Sequence, residues 1–108
     1  MKTNDLKALG FEPINDIPER EITGGFCGDL LSWVMGRAEE GQVWFTVMAN
    51  INVVAVATLA DFAAVVFCHG VRPQPEIVQK ATEEGIPLFV TEHTEFGAAE
   101  AFALKMRG

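Results

Sequence analysis

Residues 41–71 have the sequence GQVWFTVMANINVVAVATLADFAAVVFCHGV, and this run contains one formally charged side chain, Asp61. The aromatic and β-branched segment Val43–Val47 predicts a strand, the small-residue segment Val53–Ala60 a helix, and Ala63–Cys68 a second strand. A strand without polar alternation is buried on both faces, as in the parallel sheet of an α/β protein. The run therefore predicts a strand-helix-strand unit at the centre of such a sheet.

The flanking segments are predicted from caps, glycine stops and apolar spacing. In chain order they are a helix at 3–10, brief strands at 11–14 and from Arg20, a helix capped by Asp29, a helix at 75–85, a strand at 86–91 and a helix capped by Thr94. Strands separated by helices of roughly 8–13 residues indicate right-handed crossovers. We expect one domain, 1–108, with a mainly parallel sheet of four to five strands and helices on both faces.

Charge and composition exclude several functional classes. The chain has a net charge of −7, and its eight Lys and Arg residues are scattered, so no basic stripe is available for nucleic acid or an anionic membrane. The first residues lack the apolar stretch of a signal peptide. Cys27 and Cys68 form no short-spaced motif, which favours a reduced, cytoplasmic protein.

A glycine-rich segment, Gly24–Asp29, precedes a predicted helix, and such turns often bind phosphate. Its spacing matches neither the dinucleotide fingerprint nor the nucleotide-triphosphate loop. Asp29 would also compete with an incoming anion at the helix N-terminus. A tight strand-to-helix turn is the favoured interpretation, and we predict no phosphotransfer.

Polar side chains follow three of the predicted strands at their carboxyl ends, where parallel sheets collect ligands. Arg72 is the only cation among them, so a carboxylate or phosphate group is expected to face it. The alternative is that Asn50, Asn52 and Thr94 are helix caps and the others lie in ordinary loops. The candidate ligand-binding residues are Asn50, Asn52, His69, Arg72, Thr91 and Glu92.

Two further site chemistries are weaker. A metal site would draw on Cys27, Cys68, His69, Glu92 and His93, but adjacent Cys-His and Glu-His pairs lack the usual ligand spacing. A small enzyme using His69 or His93 with Glu92 has suitable residue types and no recognisable motif. We therefore predict no metal, no cofactor and no catalytic residue.

The central helix lacks a polar face, so something should cover its outer side. A two-fold homodimer is the commonest solution, and the alternative is that the N-terminal segment folds over the helix. The predicted dimer-interface residues are Val53, Val54, Val56, Ala57 and Ala60.

Four segments together resemble the DRTGG domain family, over roughly residues 20–104. They are Ile22–Met35, Asn52–Asp61, Gly70–Glu76 and Gly85–Glu92. The chain departs from the namesake motif, with Cys68-His69-Gly70 where many members have Thr-Gly-Gly. It is similar to the stand-alone branch, small proteins often encoded beside iron-only hydrogenase subunits and sometimes labelled serine kinases.

The resemblance implies a three-layer α/β fold like the N-terminal domain of HPr kinase/phosphorylase, frequent dimerisation and no established catalytic role. The leading hypothesis is a non-catalytic regulatory or sensor domain, acting as a homodimer, that binds a small polar or anionic ligand at the carboxyl edge of the sheet. The alternative is an interaction protein, an accessory of a redox or hydrogenase complex, with no small-molecule ligand.

Overall fold

The computed structural model describes all residues, 1–108, and contains one sheet with helices on both faces. A 3₁₀-helix (Thr3–Leu9) begins the chain. The remaining elements are β1 (Glu12–Pro13), β2 (Gly24–Cys27), α1 (Leu31–Arg37), β3 (Gln42–Thr46), α2 (Ile51–Ala60), β4 (Ala64–Phe67), α3 (Pro75–Glu83), β5 (Leu88–Val90) and α4 (Glu95–Arg107). No helix is both long and apolar enough to cross a membrane.

The five strands are arranged in the order β1-β5-β4-β3-β2. β2 to β5 run parallel, with Val43 opposite Ala64 and Val65 opposite Leu88, and the short edge strand β1 runs antiparallel to β5. The predicted mainly parallel sheet, centred on the strands from Val43, Ala63 and Pro87, is confirmed. Its four parallel carboxyl ends lie along one edge, which places the segments that follow β2 to β5 side by side.

Alternate side chains of the central strands enter two separate cores. On one face Trp44, Val65 and Phe67 pack with α1, α2 and α3, and the Trp44 ring stacks on Phe62 with centroids 5.0 Å apart. On the other face Phe45 and its neighbours pack with α4 and the N-terminal residues. The fold is therefore three-layered, and the unbroken apolar strands of the sequence serve both cores.

Helix α2 lies between α1 and α3 in one layer. Four of the residues assigned to a dimer interface, Val53, Val54, Val56 and Ala57, are buried within the chain's own core. That assignment needs correction, because these side chains already pack on the sheet and the flanking helices. The N-terminal 3₁₀-helix does not cover α2 either, since its Leu6 belongs to the core on the opposite face.

The glycine-rich segment also differs from the prediction. Gly24–Cys27 forms β2 itself, paired with β3, so the residues interpreted as a turn are extended. Asp29 does not cap α1; the cap position is Leu30, which makes no side-chain cap bond. Trp33 of α1 is 52% exposed and carries the Arg37 guanidinium 3.4 Å above its ring.

Candidate functional site

The carboxyl edge of the sheet is formed by the segments that follow β2, β3, β4 and β5. After β4 the chain makes a tight turn at Cys68–Val71, closed by a 3.1 Å bond from the Val71 N–H to the Cys68 carbonyl. His69 (φ +58°) and Gly70 (φ +72°) both adopt left-handed conformations in this turn. Few non-glycine residues do so, although histidine does so more often than most, and glycine does so at no steric cost. The turn sets the direction in which the chain leaves β4 towards Arg72.

A depression of about 640 Å³ lies at this edge beside the N-termini of α2 and α3; we call it the α2–α3 depression. It is lined by Ala49, Asn50, Ile51, Arg72, Gln74, Glu76 and Ile77. Asn50 caps α2 by accepting a 3.0 Å bond from the Asn52 N–H. The N-terminus of α3 has Pro75 in its first turn and no side-chain cap. Two of the predicted ligand residues, Asn50 and Arg72, are therefore brought together here.

The charge of Arg72 is met by Glu12 of β1, which its guanidinium binds directly. Both side chains are more than half exposed, at 56% and 57%. An exposed ion pair of this kind contributes little to stability, because water screens it and ordering two long side chains costs entropy. The Arg72 guanidinium can therefore exchange its carboxylate partner for a ligand at small cost.

The other four predicted ligand residues lie outside the depression. Asn52 lines a different cavity, a groove between the bodies of α2 and α3 that is bordered by Lys80 and Glu84. Thr91 is buried, and its hydroxyl accepts from the His93 N–H at 3.2 Å while its carbonyl accepts from Gly70. The Glu92 carboxylate lies over Gly70. A Cβ atom added to Gly70 would be only 2.8 Å from the Glu92 carboxylate oxygens. Glu92, His69 and Thr91 therefore form a structural corner around the β4 and β5 turns.

A second group of polar residues lies at the β2–β3 half of the edge. One Asp29 carboxylate oxygen accepts from the Thr46 hydroxyl at 2.6 Å and from the Val47 N–H at 2.9 Å. Partial burial opposes ionisation, but these bonds, and one from Glu95, hold the pKa of Asp29 below its usual value. We call Asp29 and Glu95 the acid pair.

Glu95, in the first turn of α4, is the protonated member of the acid pair. Burial, followed by the hydrogen bond to Asp29 and the charge on that carboxylate, raises the pKa of Glu95 to about 7. Two carboxyl groups at one site cannot both ionise freely, so one retains a proton. The acid pair thus shares a proton near neutral pH.

The two cysteines lie near the acid pair and are poor nucleophiles. Burial, then Glu95 and other nearby acidic groups, raises the pKa of Cys68 to about 12. The pKa of Cys27 is raised in the same way. Because β3 lies between the strands that carry them, about 4.8 Å from each, their Cα atoms are too far apart for a disulfide.

The residues considered for a metal site do not assemble. No group of three or more His, Cys, Asp or Glu side chains has an arrangement that could hold a metal ion. His69 and His93 are joined through the backbone, by a 2.7 Å bond from the His69 N–H to the His93 carbonyl. No hydrogen bond joins either imidazole to the Glu92 carboxylate.

The acid pair was missed by sequence reasoning. Asp29 was interpreted as a helix cap, and Glu95 is one acidic residue in the first turn of a helix, where acids are common. The available signal was Thr46, a polar residue at the end of a strand that is otherwise apolar and buried. A buried hydroxyl needs a partner, and Asp29 supplies it.

No protein-family profile and no curated protein sequence matches this chain. Among solved structures it is similar to the CBS and DRTGG domains of the regulatory region of Clostridium perfringens pyrophosphatase, crystallised with the activator diadenosine tetraphosphate. The TM-score is 0.70 at 18% identity, and the match covers 91% of this chain and 44% of that one. The likeness confirms the expected DRTGG-type α/β fold. This chain spans less than half of that neighbour.

Proposed function

We propose that this chain is a non-catalytic regulatory domain that acts as a homodimer and binds a small anionic ligand in the α2–α3 depression. The observation that supports the proposal is the convergence on one depression of Arg72 and the N-termini of two helices. Helix N-termini carry partial positive charge and free N–H groups, and a guanidinium binds phosphate or carboxylate in two-point geometry.

The electrostatics of the depression favour an anion that competes with carboxylates already present. The chain has a net charge of −7, Arg72 is the only cation that lines the depression, and Glu12 and Glu76 lie beside Arg72. A monoanion would gain little over the Glu12 carboxylate. A polyphosphate carries more charge and more acceptors, so it can displace Glu12 and also reach the helix N-termini.

The structural neighbour supports nucleotides as the first ligands to test, because its regulatory region binds diadenosine tetraphosphate. At 18% identity the likeness carries no residue-by-residue assignment. The apolar side chains of Ile51 and Ile77 line the same depression as Arg72, so a base and a phosphate could each find a suitable surface there.

A non-catalytic role is supported by the chemistry of the edge. The raised pKa values of Cys27 and Cys68 keep both thiols protonated at neutral pH, and the thiolate is the nucleophilic form. In the acid pair, the Asp29 carboxylate is occupied by internal bonds from Thr46 and Val47. The histidines lack the oriented partner that a general base requires.

Thermal-shift measurements against adenine nucleotides, diadenosine polyphosphates and inorganic phosphate test the proposal. A ligand at a hundred times its dissociation constant adds about 2.7 kcal/mol of stability. We expect a polyphosphate to raise the melting temperature of the wild type and to lose that effect in Arg72→Ala.

Lys105→Ala is the matched control, because it removes the same charge from an exposed position on α4, away from the depression. Asn50→Ser tests the depression without removing the α2 cap, since serine caps about as well as asparagine. A shift that Arg72→Ala and Lys105→Ala reduce equally would be non-specific and would contradict the site.

An interaction protein is the second candidate, favoured by exposed apolar side chains. The large ones are Leu30, Trp33, Met35, Ile51, Leu59, Phe96, Leu104 and Met106. Contiguous exposed apolar surface commonly marks a protein contact. If no nucleotide or phosphate shifts the melting temperature, and a redox-complex protein binds the wild type but not a variant of these residues, this candidate replaces the first.

A further inference from the structure

The outer face of α2 exposes apolar side chains and carries no charge. We define it as the exposed residues of α2, which are Ile51, Asn52, Ala55, Thr58 and Leu59, while the opposite side of the helix is buried. Leu59 is 73% exposed and Ile51 50%. No residue of α2 is charged, whereas both α3 and α4 carry carboxylates.

The absence of charge on this face matters in an acidic chain. Two copies with a net charge of −7 repel each other over most of their surfaces. The repulsion is weakest where the contact holds no unpaired carboxylate, and the α2 outer face itself carries none. Association of two copies would also remove the apolar side chains of this face from water, which favours binding.

The rim of this face is self-complementary. A groove of about 250 Å³ between α2 and α3 is bordered by Lys80 and Glu84, which pair with each other at 3.2 Å. A two-fold interface presents the same patch twice, so the lysine of one copy can face the glutamate of the other. An apolar centre with a charged rim is the usual anatomy of such a contact.

We propose that a second copy of this chain docks on the α2 outer face, with α2 at the centre of a two-fold interface and Lys80 and Glu84 at its rim. The inference rests on the homodimer of the proposed function and gives it a surface. A standard interface buries about 800 Å² per partner, about one seventh of the 5585 Å² of this chain. A ten-residue helix is about 15 Å long, so the contact also includes α1, which packs against α2 and exposes Leu30 and Trp33.

Light scattering and sedimentation equilibrium at micromolar protein concentrations test the interface. The wild type should have twice the monomer mass of 11.8 kDa. Leu59→Glu should raise the dimer dissociation constant at least about tenfold, because it places a carboxylate in the apolar centre. Circular dichroism checks that the variant is folded.

Leu104→Glu is the matched control, since Leu104 on α4 is similarly exposed, at 62%, and belongs to the opposite layer. It should remain dimeric. Lys80→Glu should weaken the dimer, and adding Glu84→Lys should restore it. A monomeric wild type overturns the proposal, and so does a dimer that Leu104→Glu disrupts and Leu59→Glu leaves intact.

The ligand proposal and the interface proposal can fail separately. Ile51 lies on both surfaces, but Leu59 does not line the α2–α3 depression and Arg72 does not belong to the α2 outer face. Monomeric Leu59→Glu should therefore retain the polyphosphate-induced thermal shift, and Arg72→Ala should remain dimeric. Loss of the shift in Arg72→Ala alone supports the ligand site, whatever the oligomeric state of the wild type.

Discussion

The two halves of the carboxyl edge use charge in opposite ways. In the β2–β3 half, the Asp29 carboxylate of the acid pair accepts hydrogen bonds from Thr46 and Val47, so it holds the fold together. In the half next to α2 and α3, Arg72 has only an exposed carboxylate as partner and lines an open depression. Polar residues whose hydrogen bonds are already made within the chain are poor candidates for ligand binding. The first half should therefore respond to mutation and pH, and the second to anions.

The largest effect is expected from Asp29→Ala. It leaves the buried Thr46 hydroxyl and the Val47 N–H without their acceptor, and such losses cost roughly 1–3 kcal/mol each when buried. Because Asp29 itself is exposed, water replaces part of the loss, and we expect the free energy of unfolding to fall by about 2 kcal/mol. Urea denaturation measures it.

Asp29→Asn is the control for that experiment, because an amide oxygen can accept the same two hydrogen bonds without the charge. It should cost less than Asp29→Ala at pH 7. If the two variants are equally destabilised, the charge of Asp29 matters more than its hydrogen bonds, and the structural role assigned to this half of the edge is wrong.

The sequence predicted the sheet well because one local pattern determined it. The apolar strands from Val43 and Ala63 are buried on both faces, and no alternative to a central parallel position fits them. The cap of α2 by Asn50 and that of α4 by Thr94 were also predictable, since both are local bonds.

The helix faces and the acid pair could not be predicted in the same way. Every side of α2 is apolar or small, so its composition does not indicate which side meets the sheet. Val53 and Leu59 look equivalent in sequence, yet Val53 is buried and Leu59 is the most exposed large apolar residue of α2. Asp29 and Glu95 are distant in the chain, and they meet only because α4, which follows β5, packs across β3 and β2.

An intermediate effect is expected from Glu95→Gln. The folded-state pKa of about 7 lies above the usual 4.5, so the native state binds more protons between these values. The contribution of Glu95 to stability is therefore fully present below pH 4.5 and is lost as the pH rises through 7. The pKa of Asp29 is lowered from its usual 3.8. The contribution of Asp29 to stability is therefore present above pH 3.8 and is lost as the pH falls below that value.

Glutamine keeps a neutral hydrogen-bond donor next to Asp29 at every pH. Glu95→Gln should therefore stabilise the chain at pH 8 by about 1 kcal/mol, after allowance for partial exposure, and should be nearly neutral at pH 5. Denaturant unfolding at the two pH values measures the difference. A stability gain that is the same at both would show that the acid pair does not share a proton.

The smallest effect on stability, and the sharpest test of the comparison, is expected from Glu12→Gln. This change removes the carboxylate that binds Arg72, and because both side chains are more than half exposed, the free energy of unfolding should change by less than about 0.5 kcal/mol.

The same change, Glu12→Gln, frees the Arg72 guanidinium for a ligand. The polyphosphate affinity of Glu12→Gln should therefore exceed that of the wild type, whereas Glu100→Gln, which neutralises an exposed carboxylate on α4, should leave it nearly unchanged. Isothermal titration at two salt concentrations separates this local competition from the general loss of negative charge, because the general term is screened by salt. An equal gain in both variants would mean that the depression attracts anions only through the net charge of the chain, and Arg72 would then have no special role.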